Sequence, residues 1–140
     1  MNTLILLTLF SATSAKFDLP TDLLASLCFI ESSYNINAVH HDDGGEDSLG
    51  VCQIKLNTAK WLGFKGTKKQ LMNPETNMYY AAKYLSYQIK RYHSVQRGVI
   101  AYNMGNAKNL TITKYSAKVF KKWHSTRGTN VRRTASFEER

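Results

Sequence analysis

The chain has 140 residues, a length that suits one domain. A hydrophobic share of 43% is enough for a single core and excludes a disordered chain. The formal net charge of +9 suits a polyanionic partner, whether nucleic acid, an anionic membrane surface or bacterial cell wall, and by itself does not choose among them.

Leu4 to Phe10 is an almost wholly apolar run, followed by the small residues Ser11-Ala12-Thr13-Ser14-Ala15. The pattern predicts a secretory signal peptide over residues 1–15, cleaved after Ala15, although Met1-Asn2-Thr3 lacks the usual basic residue. The run is too short to span a bilayer as a stable helix. The alternative is a buried N-terminal helix. Export predicts a periplasmic or extracellular location and argues against nucleic acid as the natural partner. The main domain is expected over residues 16–124.

The first helix of that domain is predicted from Pro20 to Ser32, with Pro20 at N1, where its missing N–H would be unpaired anyway. Leu23, Leu24, Leu27 and Cys28 fall on one face, and Glu31 falls on the same face, four residues after Leu27. Desolvation disfavours a carboxylate there, and a Glu that keeps its proton near neutral pH can act as a general acid. Cys28 and Cys52 are the two cysteines. An exported pair can form a disulfide, and each also reads as a buried small hydrophobe; the sequence leaves both open.

His40 to Ser48 forms a polar loop, and its Asp42, Asp43, Glu46 and Asp47 read as solvated loop acids. His40-His41-Asp42-Asp43 lacks calcium-loop spacing, so neither a metal nor another cofactor is expected. Leu49 to Ile54 is a short apolar stretch. A helix follows over about Asn57 to Leu62, capped by Gly63. Asn73-Pro74-Glu75 opens the longest helix, which runs to about Tyr92 with Met78, Ala81, Ala82, Leu85 and Ile89 in helical spacing. Another helix spans Val95 to Met104 and stops at Gly105. A last one, near Ser116 to His124, is expected to bury Val119, Phe120 and Trp123, and the basic tail 125–140 to fray. No period-two pattern is sustained, so the fold class is mainly α with little sheet.

Four segments in this order carry a resemblance: Glu31-Ser32-Ser33-Tyr34, Gly50-Val51-Cys52-Gln53-Ile54, Asn73-Pro74-Glu75-Thr76-Asn77 leading to Tyr84-Leu85, and Ala101-Tyr102-Asn103-Met104-Gly105. Each alone is weak. Together, from about Leu23 to Gly105, they resemble the catalytic domain of the soluble lytic transglycosylases. The resemblance implies a lysozyme-like α fold with a small β element at the cleft, acting as a monomer on peptidoglycan glycan strands. It implies Glu31 as the single catalytic acid, which protonates the glycosidic oxygen and then accepts the proton of the sugar's 6-hydroxyl, leaving a 1,6-anhydro end. It places Gln53, Tyr102 and Asn103 at the glycan, with Ser48 and Tyr34 as further contacts and Ser32 and Asn77 in support. Such domains serve secretion systems, conjugation systems or phage. The rivals are a hydrolytic muramidase on the same fold and a non-catalytic wall-binding module. Two departures stand out: the loop between Val39 and Gly50 is longer and more acidic than usual, and Cys52 stands where Met is frequent.

Overall fold

The computed structural model describes residues 1–41 and 45–138, with side chains through residue 126. Asp42 and Asp43 therefore lie outside the described residues. The elements run α1 (Thr3–Lys16), α2 (Leu23–Ser32), β1 (Val39–His40), β2 (Ser48–Leu49), β3 (Ile54–Lys55), α3 (Leu56–Trp61), α4 (Lys68–Leu71), α5 (Pro74–Tyr92), α6 (Val95–Met104) and α7 (Lys114–Glu138).

The central helix is α5, and its ends are the ones the sequence marks. Asn73 caps it by accepting from the Thr76 N–H, Pro74 occupies N1, and His93 closes it in a left-handed conformation. Met78, Ala81, Ala82 and Leu85 are fully buried against α1, α2, α6 and α7. Helix α6 likewise runs from a Ser94 cap to Gly105, whose φ of 86° provides the left-handed stop. The three strands are two residues long and antiparallel in the order β1-β2-β3, with Val39 opposite Leu49 and Ser48 opposite Lys55.

Thr3–Lys16 forms α1, whose Leu6, Phe10, Thr13 and Ser14 recur at helical spacing and are buried against the core. Three expectations change. Helix α2 starts at Leu23, not Pro20, because Pro20-Thr21-Asp22 is a turn closed by the Leu23 N–H on the Pro20 carbonyl, with Asp22 left-handed. Helix α4, which the sequence reading lacked, is set by a reciprocal capping box between Thr67 and Gln70. Helix α7 begins two residues before Ser116, where Thr113 accepts from the Ser116 N–H, and continues past His124 to Glu138 through a stretch without proline.

Candidate active site

Glu31 is the second-last residue of α2, one turn beyond the buried Leu27 and Cys28. Its carboxylate is half-buried, and its Oε2 accepts a hydrogen bond of 2.6 Å from the Tyr115 hydroxyl on α7. Burial pushes the Glu31 pKa up to about 7, while the Tyr115 bond and the nearby His40 pull the other way. Desolvation and the neighbouring Glu31 hold the Tyr115 hydroxyl well above its ordinary range, so it stays a donor. Tyr115 has no counterpart in the sequence reading. The signal was present: Tyr115, Val119 and Trp123 form one stripe on α7, and Tyr115 extends it by a turn.

Beyond Glu31 the backbone turns sharply. Ser33 and Tyr34 both adopt positive φ, 53° and 64°, and the Ser33 N–H bonds the Phe29 carbonyl. Non-glycine residues are uncommon there, and such strain gathers at functional sites. Gln53, across the cleft, has a φ of 54°.

The segment Leu49 to Gln53 is held from several sides. Cys28 of α2 is disulfide-bonded to Cys52, which resolves the two readings of the cysteines. The Ser32 hydroxyl donates to the Val51 carbonyl at 2.7 Å. Asn77, wholly buried on α5, accepts from the Cys52 N–H and donates to the Leu49 and Leu71 carbonyls. The Tyr102 hydroxyl donates to the Cys52 carbonyl at 2.7 Å. Gly50 has a φ of 80°, and a Cβ there would stand 2.4 Å from the Asn77 Nδ2, so close packing against Asn77 requires glycine.

Gln53 is 8% exposed, and both ends of its amide are engaged. Its Nε2 donates to the Ala38 and Gly50 carbonyls, and its Oε1 lies 2.8 Å from the His40 Nδ1. With Nε2 fixed as the donor, Oε1 is the acceptor, and His40 Nδ1 carries the hydrogen. Gln53 thus shapes the cleft wall and pins β1 to the turn.

A polar cleft of about 280 Å³ gathers Glu31, Ser48, Gln53, Tyr84, Tyr102 and Asn103, with Lys55 on its rim. Ser32 and Asn77 act behind it, as supports for the turn. Tyr34 is not brought into the cleft: its hydroxyl donates to the Ala25 carbonyl and its ring packs on Phe10 and Phe29. Tyr102 is 7% exposed, and its hydroxyl is already committed to the Cys52 carbonyl. Among the described residues, Glu31 is the one carboxylate lining the cleft. Asp47 instead pairs with His41 at 2.9 Å and Lys68 at 3.8 Å. No cluster of three or more His, Cys, Asp or Glu side chains is placed to hold a metal among the described residues. A larger hollow of about 520 Å³ between α1, α2 and α7 lies away from Glu31.

The family described as the transglycosylase SLT domain matches residues 8–125, most of the chain. The chain belongs to the SLT transglycosylase family. The mainly helical fold with its small sheet is the lysozyme-like fold of that family. Protein IpgF of Shigella flexneri and Protein IpgF of Shigella sonnei are each 27% identical to this SLT domain over 112 residues, covering 77% of this chain and 74% of the relative. No solved structure gives a significant match. The SLT match begins at residue 8, so it includes the half of α1 that carries Phe10, Thr13 and Ser14.

Proposed function

We propose that this SLT domain is a peptidoglycan lytic transglycosylase that cleaves the β-1,4 bond between N-acetylmuramic acid and N-acetylglucosamine and leaves 1,6-anhydro ends. The observation that carries this reading is that Glu31, the one cleft carboxylate among the described residues, is held near neutral pKa and oriented by Tyr115. A glycosidic oxygen is a poor leaving group until protonated. Protonated Glu31 gives its proton to that oxygen as the C1–O bond breaks, and the sugar gains oxocarbenium character. Glu31, now a carboxylate that still accepts from Tyr115, takes the proton of the sugar's 6-hydroxyl as that oxygen bonds to C1. Protons and electrons balance without water, and one acid performs both transfers.

A hydrolase on this fold needs a second carboxylate at a set distance to activate water or form a covalent intermediate. Of the four loop acids, Glu46 and Asp47 are among the described residues and do not line the cleft, which supports the lytic outcome over a second-carboxylate mechanism using either of them. The test is the mass of fragments from purified wall. A 1,6-anhydro end is lighter than a reducing end by one water; reducing ends would overturn the lytic reading in favour of the muramidase. Glu31→Gln separates catalysis from binding, since a pure wall-binding module would keep its function.

Export belongs to the same proposal, with a wall-crossing machine of the secretion, conjugation or phage kind as the setting. The Cys28–Cys52 bond supports it, because such bonds persist in oxidising compartments. The net charge of +9 supports an anionic wall as the partner. N-terminal sequencing of secreted protein tests the leader: a start at Lys16 supports cleavage after Ala15, and a start at Met1 opposes it.

A further inference from the structure

The cleft does not end at Asn103. A second hollow of about 330 Å³ adjoins it and shares Thr58, Tyr84 and Gly105 with it. Its walls include Trp61 at the end of α3 and Tyr87 and Arg91 on α5. Trp61 is 61% exposed and Tyr87 40%, the kind of exposed aromatic surface that needs an explanation. The two rings meet edge to face with centroids 4.8 Å apart, which fixes the indole while leaving most of it open. The Lys83 ammonium of α5 donates to the Leu62 carbonyl, the residue after Trp61, and so fixes the end of α3 against α5. The Arg91 guanidinium donates to the Gln88 side chain and to the Gly105 carbonyl, which sets a positive charge beside the aromatic pair.

A flat, electron-rich ring face is suited to the C–H face of a pyranose, and a guanidinium to a carboxylate. Both chemistries occur together in a wall glycan: β-linked amino sugars, every second one bearing an acidic substituent. Continuity with the Glu31 cleft argues that the occupant is the strand being cut and not a separate ligand. We propose that Trp61, Tyr87 and Arg91 form an accessory sugar-binding shelf on which the glycan strand continues beyond the catalytic cleft. This rests on the glycan-cleaving reading of that cleft. It makes the protein a reader of strand length: a short oligosaccharide fills the cleft alone, and a long one also engages the shelf.

The experiment measures binding of peptide-free wall glycan strands of four and eight sugars, whose N-acetylmuramic acid units carry free carboxylates, to the full chain carrying Glu31→Gln, with and without Trp61→Ala, by calorimetry. Trp61 is exposed, so its removal leaves the core untouched, and matching circular dichroism melts verify this. The expected result is a fall of about tenfold in the ratio of octamer to tetramer affinity, with Trp61→Phe restoring most of it. An unchanged ratio with intact folding overturns the shelf alone, and wall digestion by the wild type then still stands. Failure of the wild type to cut wall, together with no binding of either oligomer by the Glu31→Gln chain, overturns the functional reading and the shelf with it.

Discussion

Glu31 sits between opposing influences. Burial raises its pKa to about 7, and the Tyr115 hydroxyl and His40 hold it down. Activity that begins with protonated Glu31 should therefore fall on the alkaline side with an apparent pKa of about 7 in kcat/KM. Tyr115→Phe removes a bond that favours the carboxylate, so the alkaline limb should move to higher pH; a limb that stays put or moves down would contradict the assigned role. The same burial acts on stability. A Glu with an ordinary value near 4.5 releases its proton in the unfolded chain, whereas the folded chain keeps it to about pH 7. Stability from this residue is thus complete below 4.5 and is lost as pH rises through 7. The loss is at most about 3 kcal/mol, and smaller where cleft water screens the carboxylate. Glu31→Gln removes the penalty: at pH 8 it should melt at higher temperature than wild type while losing about a hundredfold to ten-thousandfold in wall cleavage. Glu31 was legible because an acid on an apolar stripe is a local pattern. The stripe with Val119 and Trp123 marks Tyr115 as a packed residue, but its role at the acid was not legible, because Glu31 lies 84 residues away.

Among the elements, the turn Leu49–Gln53 has the most distributed support. It is tied by a disulfide, by Ser32, Asn77 and Tyr102, and by its own Gln53. Gly50→Ala places a methyl against Asn77 at a positive φ and should destabilise by about 1–3 kcal/mol in chemical unfolding, with wall cleavage falling alongside. Replacing Cys28 and Cys52 together with Ala opens a link between residues 24 apart and should cost about 3 kcal/mol by the chain-entropy account. Chemical reduction of the wild type should reproduce the shift, and an unchanged midpoint would contradict it. Helices α5 and α6 were legible to their ends because Asn73, Pro74, Ser94 and Gly105 are local stop and start signals. The strands were not, since two residues cannot show alternation, and their pairing is set by the turn. Gln53 and Tyr102 were legible as members of the site. That their polar atoms face the backbone and not the cleft depends on tertiary partners.

At the scale of the whole molecule, α1 carries two readings. Leu4 to Phe10 is almost wholly apolar, and a leader and a core helix share that composition. In the structure Leu6 and Phe10 are 3% and 2% exposed, while Leu4 is 74%, so the helix has a face that a core would use. Phe10→Ala should cost about 3–5 kcal/mol, measured by denaturant unfolding, if α1 is retained in the working protein. A cost near zero would mean that the helix is absent from it. At the opposite end, the Trp123 indole N–H donates to the Thr21 carbonyl, and Tyr115 donates to Glu31, so α7 is tied both to the turn before α2 and to the last turn of α2. The acid is made early in synthesis and its hydroxyl partner late. A nascent chain grown only through α6 holds Glu31 without the hydroxyl that orients it, so the acid–hydroxyl pair is assembled only when the last helix packs down.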